Sequence, residues 1–443
     1  MMKVAVYVDN GGSWQCDCTS IEQGNPGMAG TPYVMNLIGV LLQRRDNDIE
    51  SVLLTHVDGH YADDVHTTTV GSLAGAMSYA EAHNYDFLVF KHYERYEDAV
   101  WTQLRACHFH TRFVIHCHNF VSCRMLRAYA RLSRVARLVT VGREQMDLYR
   151  DHAAFRKSDY IFNPIDMPSL TTSAMGDVPF AQRNHRVAYM GALIAPKGFY
   201  VLAKAWKKVL KKVPDAELIV LGTGRLYGGN AETGPLGVAD RAFEERFLPW
   251  LSDDQGQLLP GVHFLGIKGG EEKRHLLQSA KVGVPNPTGN SETFCVCGVE
   301  MQIAGERLAA ICCEGFLDTC FNASFFRYPH QLARTIIREL NNTEDLSADV
   351  LQRINEVFSQ ETVIRDWERL FHQVLSGEDG SRPCSHLHPI LPLVHPCFRM
   401  KWLKDILRRM KDSSHVLSLV LPTVETVCWP WNKVRAFLFR HGV

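Results

Sequence analysis

Two parallel α/β domains joined by a short polar segment are what this sequence predicts, and three observations predict them. The chain has 443 residues, too many for one compact core and suited to two domains of ordinary size. Short apolar runs rich in Val, Ile, Leu and Phe alternate with helix-patterned stretches in both halves, the pattern of a parallel sheet covered on each face. The alternation breaks near 170–185, where the stretch PSLTTSAMGDVPFAQRNH is polar with Pro and Gly interspersed, as inter-domain linkers are.

The elements follow in chain order. Strands of the first series are expected at Val4–Val8, Val52–Leu54, Phe87–Phe90, Phe113–Ile115 and Leu138–Val141, with a helix over Tyr33–Leu42. The second series is expected at VAYMG (187–191), LIVLG (218–222), VHFLG (262–266), VGVP (282–285) and LAAICC (308–313). After Lys197, the residues Phe199, Leu202, Trp206, Leu210 and Val213 share one helix face, and Lys204, Lys207, Lys208, Lys211 and Lys212 lie mostly outside it. That run of lysines reads as a solvated face. The glycine-rich 225–260 region is expected to be an insertion or long connection, and a helical pattern at 359–375 closes the second series. The resulting division is 1–170, a linker at 171–186, 187–376, and a distinct C-terminal extension at 377–443.

Composition narrows the function classes. Lys+Arg and Asp+Glu are equal at 48 each, so a nucleic-acid partner is not expected. The start MMKVAVYVD reads as a first strand and not as a signal peptide, and no run of about 18 apolar residues suggests a spanning helix. With 13 cysteines, an odd number scattered through the chain, a disulfide framework is not expected. These features favour a reducing cytoplasm, with the cytoplasmic face of a membrane as the alternative place.

The most informative segment is NSETFCVCGVEMQIAGERLAAI, from Asn290 to Ile311, directly after the VGVP strand. Asn290 and Ser291 suit a helix cap, Glu292 stands near the helix start, and Glu300 follows eight positions later. Backbone N–H groups around 293–297, at Thr293, Phe294 and Cys295 among others, suit an anionic phosphate. Carboxylates accept hydrogen bonds from sugar hydroxyls. Two of them around such a helix start suit a nucleotide sugar.

The segment resembles the signature of the retaining glycosyltransferases of family 4, which have the GT-B fold: Glu, seven residues, then Glu, in a Ser/Pro-Glu-x-Phe-Gly setting. Ser291, Glu292, Phe294 and Glu300 carry the match. VAYMGALIAPKG (187–198) is similar to the family's strand followed by Gly-Arg-Leu and Lys-Gly, matching at Gly191 and Lys197. The resemblance covers about 187–375 and implies two Rossmann-like domains facing across a cleft, here with an additional C-terminal arm. It implies that Glu292 contacts the donor sugar, Glu300 the nucleotide ribose, and Lys197 the donor diphosphate. Two positions depart from it: Ala192 stands where the family has Arg, and Cys295 where it has Gly.

In the first half, Gly27 and Gly30 in NPGMAGTPYV lie where the family often has a glycine turn near donor phosphates or acceptor. A turn before a helix is the other reading. RFVIHCHNF places His118, or its neighbour His116, at the end of a buried strand, where the family often has a His beside the transferred sugar. Asn163 and Asp166 in FNPID are expected near the junction between domains.

The reaction implied is transfer of a hexosyl group from a nucleoside-diphosphate sugar to a hydroxyl on a glycan, lipid or small-molecule acceptor, with retention and in glycan or glycoconjugate synthesis. The first domain would hold the acceptor and the second the donor. The alternatives are a nucleotide-sugar 2-epimerase, a glycan phosphorylase, and a degenerate sugar-nucleotide-binding scaffold. Neither a catalytic metal nor a tightly bound cofactor is expected. In the extension, Cys384, His386, His388, His395 and Cys397 have zinc-binding chemistry but no motif spacing. The aromatic and basic segments near Trp402 and Trp429–Phe439 suit an inter-domain cap, a membrane surface or a partner.

Overall fold

The computed structural model describes residues 1–378 apart from 14, 46–47, 150–151, 168–177, 225–231 and 291. The described residues form two compact units, one comprising 1–167 with 356–378 and the other 178–355.

The first unit is built on a seven-stranded sheet. Its strands are β1 (Met2–Val8), β2 (Ile49–Thr55), β3 (Thr67–Thr69), β4 (Phe87–Lys91), β5 (Arg112–Cys117), β6 (Val135–Thr140) and β7 (Ser158–Tyr160). They run parallel in the order β3-β2-β1-β4-β5-β6-β7. Val4, Ala5, Val6, Tyr7 and Val8 are all buried, as a central strand covered on both faces requires. The five expected strands are present. β3 and β7 are three residues long at the sheet edges; neither has an apolar run, and ladder bonds to a neighbour define them.

Five helices connect these strands: α1 (Gly30–Arg44), α2 (Leu73–Ala82), α3 (Asp98–Leu104), α4 (Cys123–Arg131) and α5 (Arg143–Asp147). α1 buries Val34, Leu37, Ile38 and Leu42 against the sheet. It comes so close to β2 that a Cβ on Gly39 would stand 2.5 Å from Leu53 Cδ1.

The second unit has a six-stranded parallel sheet in the order β10-β9-β8-β11-β12-β13. Its strands are β8 (Arg186–Met190), β9 (Glu217–Leu221), β10 (Val262–Gly266), β11 (Val282–Gly283), β12 (Arg307–Ile311) and β13 (Ala323–Phe326). All but β13 coincide with expected runs. The helices are α6 (Phe199–Leu210), α7 (Arg241–Phe247), α8 (Gly270–Gln278), α9 (Val296–Ile303), α10 (Glu314–Thr319), α11 (Leu332–Leu340) and α12 (Ser347–Phe358). α12 crosses the boundary at 355/356. On α6, Phe199, Leu202 and Trp206 are fully buried, while the five lysines at 204–212, three on the helix and two just after it, are exposed. The described part of the connection, 232–260, is organised by Glu244 of α7. Its buried carboxylate accepts the N–H groups of Leu236, Val238 and Ala239 at 2.7–2.8 Å.

A last helix, α13 (Gln360–Leu375), belongs to the first unit, although the sequence groups it with the second series. Its stripe of Val363, Ile364, Trp367, Leu370, Phe371 and Val374 shares one core with β1, β4 and α1. The segment that carries Asn163 and Asp166 receives it: Ile165 bridges to Ser359 and donates its N–H to Phe358 O at 2.8 Å. Apolar stripes mark what a helix buries but not which sheet buries it.

Both sheets reverse strand order at one place, between β1 and β4 and between β8 and β11. In open parallel sheets the crevice outside the strand carboxyl ends at that reversal is where ligands bind. Among the described residues no helix is long and apolar enough to cross a membrane. The five Cys and His side chains of the extension and the segments at 402 and 429–439 lie outside the described residues.

Candidate functional site

The reversal point of the second unit is lined by residues 191–198 after β8, and by 284–290 and Glu292 after β11. Backbone contact shapes the first. Gly191 donates its N–H to Leu221 O at 3.0 Å, and a Cβ on Gly222, whose φ is +138°, would stand 2.0 Å from Gly191 O. The requirement for glycine at 222 is therefore packing of the two strand ends. Tyr189 Oη, buried beneath the loop, lies 3.1 Å from Lys197 O and 3.4 Å from Ala192 O. Gly198 takes φ +71° after Lys197, and a Cβ there would meet Thr288 Cγ2 at 2.5 Å. The loops thus interlock, and Thr288 Oγ1 ties them by lying 3.1 Å from Pro196 O.

This interlock brings Lys197 onto Glu292, 95 positions away in sequence. The ammonium is ion-paired to Glu292 Oε1. Asn286 Nδ2 donates to the same oxygen at 3.0 Å and to Asn290 O at 3.1 Å. The Asn286 Oδ1 atom in turn accepts from Thr288 N at 3.1 Å. Glu292 is 5 % exposed and Asn286 3 %, and both side-chain donors meet the same carboxylate oxygen. Among the described residues Glu292 Oε2 has no side-chain donor, since Lys197 and Asn286 both meet Oε1. Burial works against the Lys197 charge, but the adjacent carboxylate outweighs it and holds the ammonium well above the ordinary lysine range.

Glu292 leads into the start of α9. Thr293, Phe294 and Cys295 are buried there. Thr319 Oγ1 lies 2.7 Å from Phe294 O and secures the approach. A Cβ on Gly315 would stand 2.8 Å from Thr293 C, so α10 abuts this backbone directly. Cys295 caps α9 with φ +70° and ψ +70°. That left-handed conformation favours glycine, the residue the resembled family has here. The first N–H groups of a helix have no intrahelical acceptor, and this helix begins at Val296. Glu300, on α9, is ion-paired at 2.8 Å to Lys273 of α8, and both side chains are mostly buried.

Lys197, Glu292, Thr293, Phe294 and Cys295 are therefore gathered at one reversal point. Gly191 lies in the same pair of loops, and Glu300 lies further along α9. Sequence reading missed Asn286, Thr288 and Lys273. Lys273 hides among the charges of EEKRHLL, and Asn286 carries no signal before the loop folds back.

In the first unit, His118 follows β5 and is partly buried, whereas His116 is fully buried. His116 packs edge-on to Trp367 with ring centroids 5.2 Å apart and its Nδ1 is 3.4 Å from Met35 Sδ. Burial, then the nearby Lys91, lowers the His118 pKa to about 3; the imidazole is neutral at ordinary pH. Gly27 has φ +103° with open space around it, in a turn closed by Asn25 Oδ1 accepting Gly27 N–H at 2.9 Å. Gly30 is the first residue of α1 and is likewise uncrowded. At this sheet's reversal point, Asp9 follows β1, and Tyr93 Oη lies 3.3 Å from its carboxylate.

Among the described residues no cluster of His, Cys, Asp and Glu suits a metal ion.

The paired doubly wound units define the GT-B fold, the architecture of the glycosyltransferases that the sequence resembles. Several solved structures share it. Sucrose-phosphate synthase from Thermosynechococcus elongatus matches 85% of this chain and 100% of its own, with TM-score 0.62 and 15% identity. AviGT4, a glycosyltransferase involved in avilamycin A biosynthesis, matches 85% and 99%, with TM-score 0.55 and 14% identity. The catalytic domain of starch synthase IV from Arabidopsis thaliana, bound to ADP and acarbose, matches 85% and 99%, with TM-score 0.52 and 13% identity. No protein-family profile matches the chain. No curated protein matches its sequence.

Proposed function

We propose that the chain is a retaining glycosyltransferase that takes a sugar from a nucleoside-diphosphate donor held by the second unit. The observation that carries this reading is the Lys197–Glu292–Asn286 arrangement at the β8/β11 reversal. Glu292 Oε1 is occupied by two donors, which leaves Oε2 to accept a sugar hydroxyl. The Lys197 ammonium has three N–H groups and uses one on Glu292, so two remain for the diphosphate. Amides at the start of α9 add to that charge stabilisation as the leaving diphosphate forms. Glu300, positioned by Lys273, takes the ribose.

The acceptor side is assigned to the first unit, with His118 a neutral hydrogen-bonding group and Gly27 and Gly30 in the turn before α1. Among the described residues no carboxylate beside Glu292 is assigned as a nucleophile. The acceptor hydroxyl therefore attacks on the face the diphosphate leaves, and a phosphate oxygen takes its proton. Acceptors are hydroxyl-bearing glycans, lipids or small molecules, and the reaction belongs to the cytoplasm or its membrane face.

A panel of nucleotide sugars titrated calorimetrically tests the site, and the anomeric configuration of the product tests retention. One donor is expected to bind, and both Lys197→Ala and Glu292→Ala should weaken it. Full affinity in both variants refutes the placement. A second reading, a sugar-nucleotide-binding protein without turnover, is favoured by Ala192, 3 % exposed where the resembled family has Arg. Detectable donor turnover excludes it.

A further inference from the structure

The start of α9 contains a pair of thiols that sugar transfer does not use. Cys295 Sγ and Cys297 Sγ are 3.4 Å apart, and both cysteines are free. Val296, between them, is helical, which puts the flanking Cα atoms about 5.4 Å apart by helix geometry. That lies inside the roughly 4.4–6.8 Å that a disulfide spans. Both sulfurs lie within electrostatic range of Lys197, and Cys295 is also within range of Glu292. The pair therefore borders the proposed donor site and already meets the main geometric requirement for a bond.

We propose that Cys295 and Cys297 form a reversible disulfide that switches donor binding off, an inference that rests on the donor-site reading. The oxidant is a small-molecule disulfide. Cys297 is half-buried and reachable, while Cys295 is 7 % exposed. The Cys297 thiolate attacks one sulfur of the oxidant, forming a mixed disulfide and releasing one small thiolate. Cys295 then gives up its proton and attacks Cys297 Sγ, and the second small thiolate leaves. Two protein thiols are oxidised and one small disulfide is reduced to two thiols. Burial, then the contact with Cys297, pushes the Cys295 thiol up, consistent with its acting second.

Bond closure requires the sulfurs to approach by about 1.4 Å, since an S–S bond is about 2.0 Å. The surrounding structure leaves little room for this. Thr319 holds Phe294 O, and α10 abuts the backbone at 293–294 without an intervening side chain. The displacement passes into residues 292–297, which carry Glu292 and the helix-start amides. A misplacement of about 1 Å can cost a catalytic site about a hundredfold in rate, and a loss of at least about tenfold in donor affinity is expected here.

The test uses the full chain equilibrated with glutathione or glutathione disulfide, with UDP-glucose and ADP-glucose as calorimetric probes. Oxidation is expected to remove the mass of two hydrogens, to give a peptide linked 295–297, and to weaken the better probe at least about tenfold, reversed by reductant. In Cys297→Ser the affinity should be the same in both buffers. Absence of the linked peptide, a link from Cys295 to Cys320, or equal affinity of the oxidised and reduced protein overturns the proposal. If the reduced protein binds neither probe nor any other member of the nucleotide-sugar panel, the donor reading fails, and the switching falls with it. Peptide mapping, which needs no ligand, still decides whether the bond forms.

Discussion

Removing Lys197 should separate the structural and ligand-binding contributions of the Lys197–Glu292 pair. Lys197→Ala leaves a carboxylate that is 5 % exposed with Asn286 as its remaining side-chain donor. Breaking a fully buried pair from one side costs about 3–5 kcal/mol. The lysine side chain here keeps 29 % exposure, so water screens part of the interaction and about 1–3 kcal/mol is expected. Glu292→Gln retains the shape without the charge. The double variant Lys197→Ala/Glu292→Gln should therefore be more stable than Lys197→Ala alone, because no uncompensated charge remains. Urea unfolding of the four proteins measures this.

Calorimetry with the donor measures the other contribution. Loss of a charge-assisted contact to the diphosphate is worth about 1.5–3 kcal/mol, roughly 10- to 150-fold in Kd. The Lys197 pKa is raised above the ordinary 10.5. Its contribution to stability is thus fully present below that value and lost only as pH rises through the raised one. The coupling should be constant from about pH 6 to 9. A Lys197→Ala protein that unfolds at the wild-type urea concentration and binds donor as tightly would refute the reasoning.

Other perturbations have defined outcomes. Gly222→Ala places a Cβ 2.0 Å from Gly191 O at φ +138°, so it should destabilise the protein by at least about 3 kcal/mol in urea unfolding, whereas Gly30→Ala, in open space, should not. Burial favours the neutral form of Glu94, but hydrogen bonds from His92 and Ser122 overcome it and lower its pKa from 4.5 to about 2. Its stabilisation is present above 4.5 and lost as pH falls toward 2, so the acid-induced drop in Tm over that window should be smaller in Glu94→Gln. His118 titrates near 3, so the pH–rate profiles of wild type and His118→Asn should keep the same shape between about pH 5 and 8 even if their rates differ.

Much of the fold was legible because its central strands are buried on both faces and must be continuously apolar. VAVYV and FVIHC show this in sequence. The three-residue edge strands β3 and β7 were not legible, since Thr67–Thr69 and Ser158–Tyr160 acquire strand conformation from a neighbour's ladder. The same logic divides the site. Glu292 and Glu300 stand in one local pattern and Lys197 in another, so a resemblance could single them out. Asn286 and Lys273 have no local pattern, and they act only where loops fold back onto a carboxylate.

The sequence by itself determined the two parallel α/β series and most of the residues around the start of α9. Hydrophobic period and a helix-start pattern are properties of neighbouring residues. Tertiary structure alone decided that Lys197 closes on Glu292, that Gly222 is required by Gly191, and that α13 completes the first core. Each depends on atoms far apart in the chain meeting at a few ångströms, and no local preference encodes that meeting.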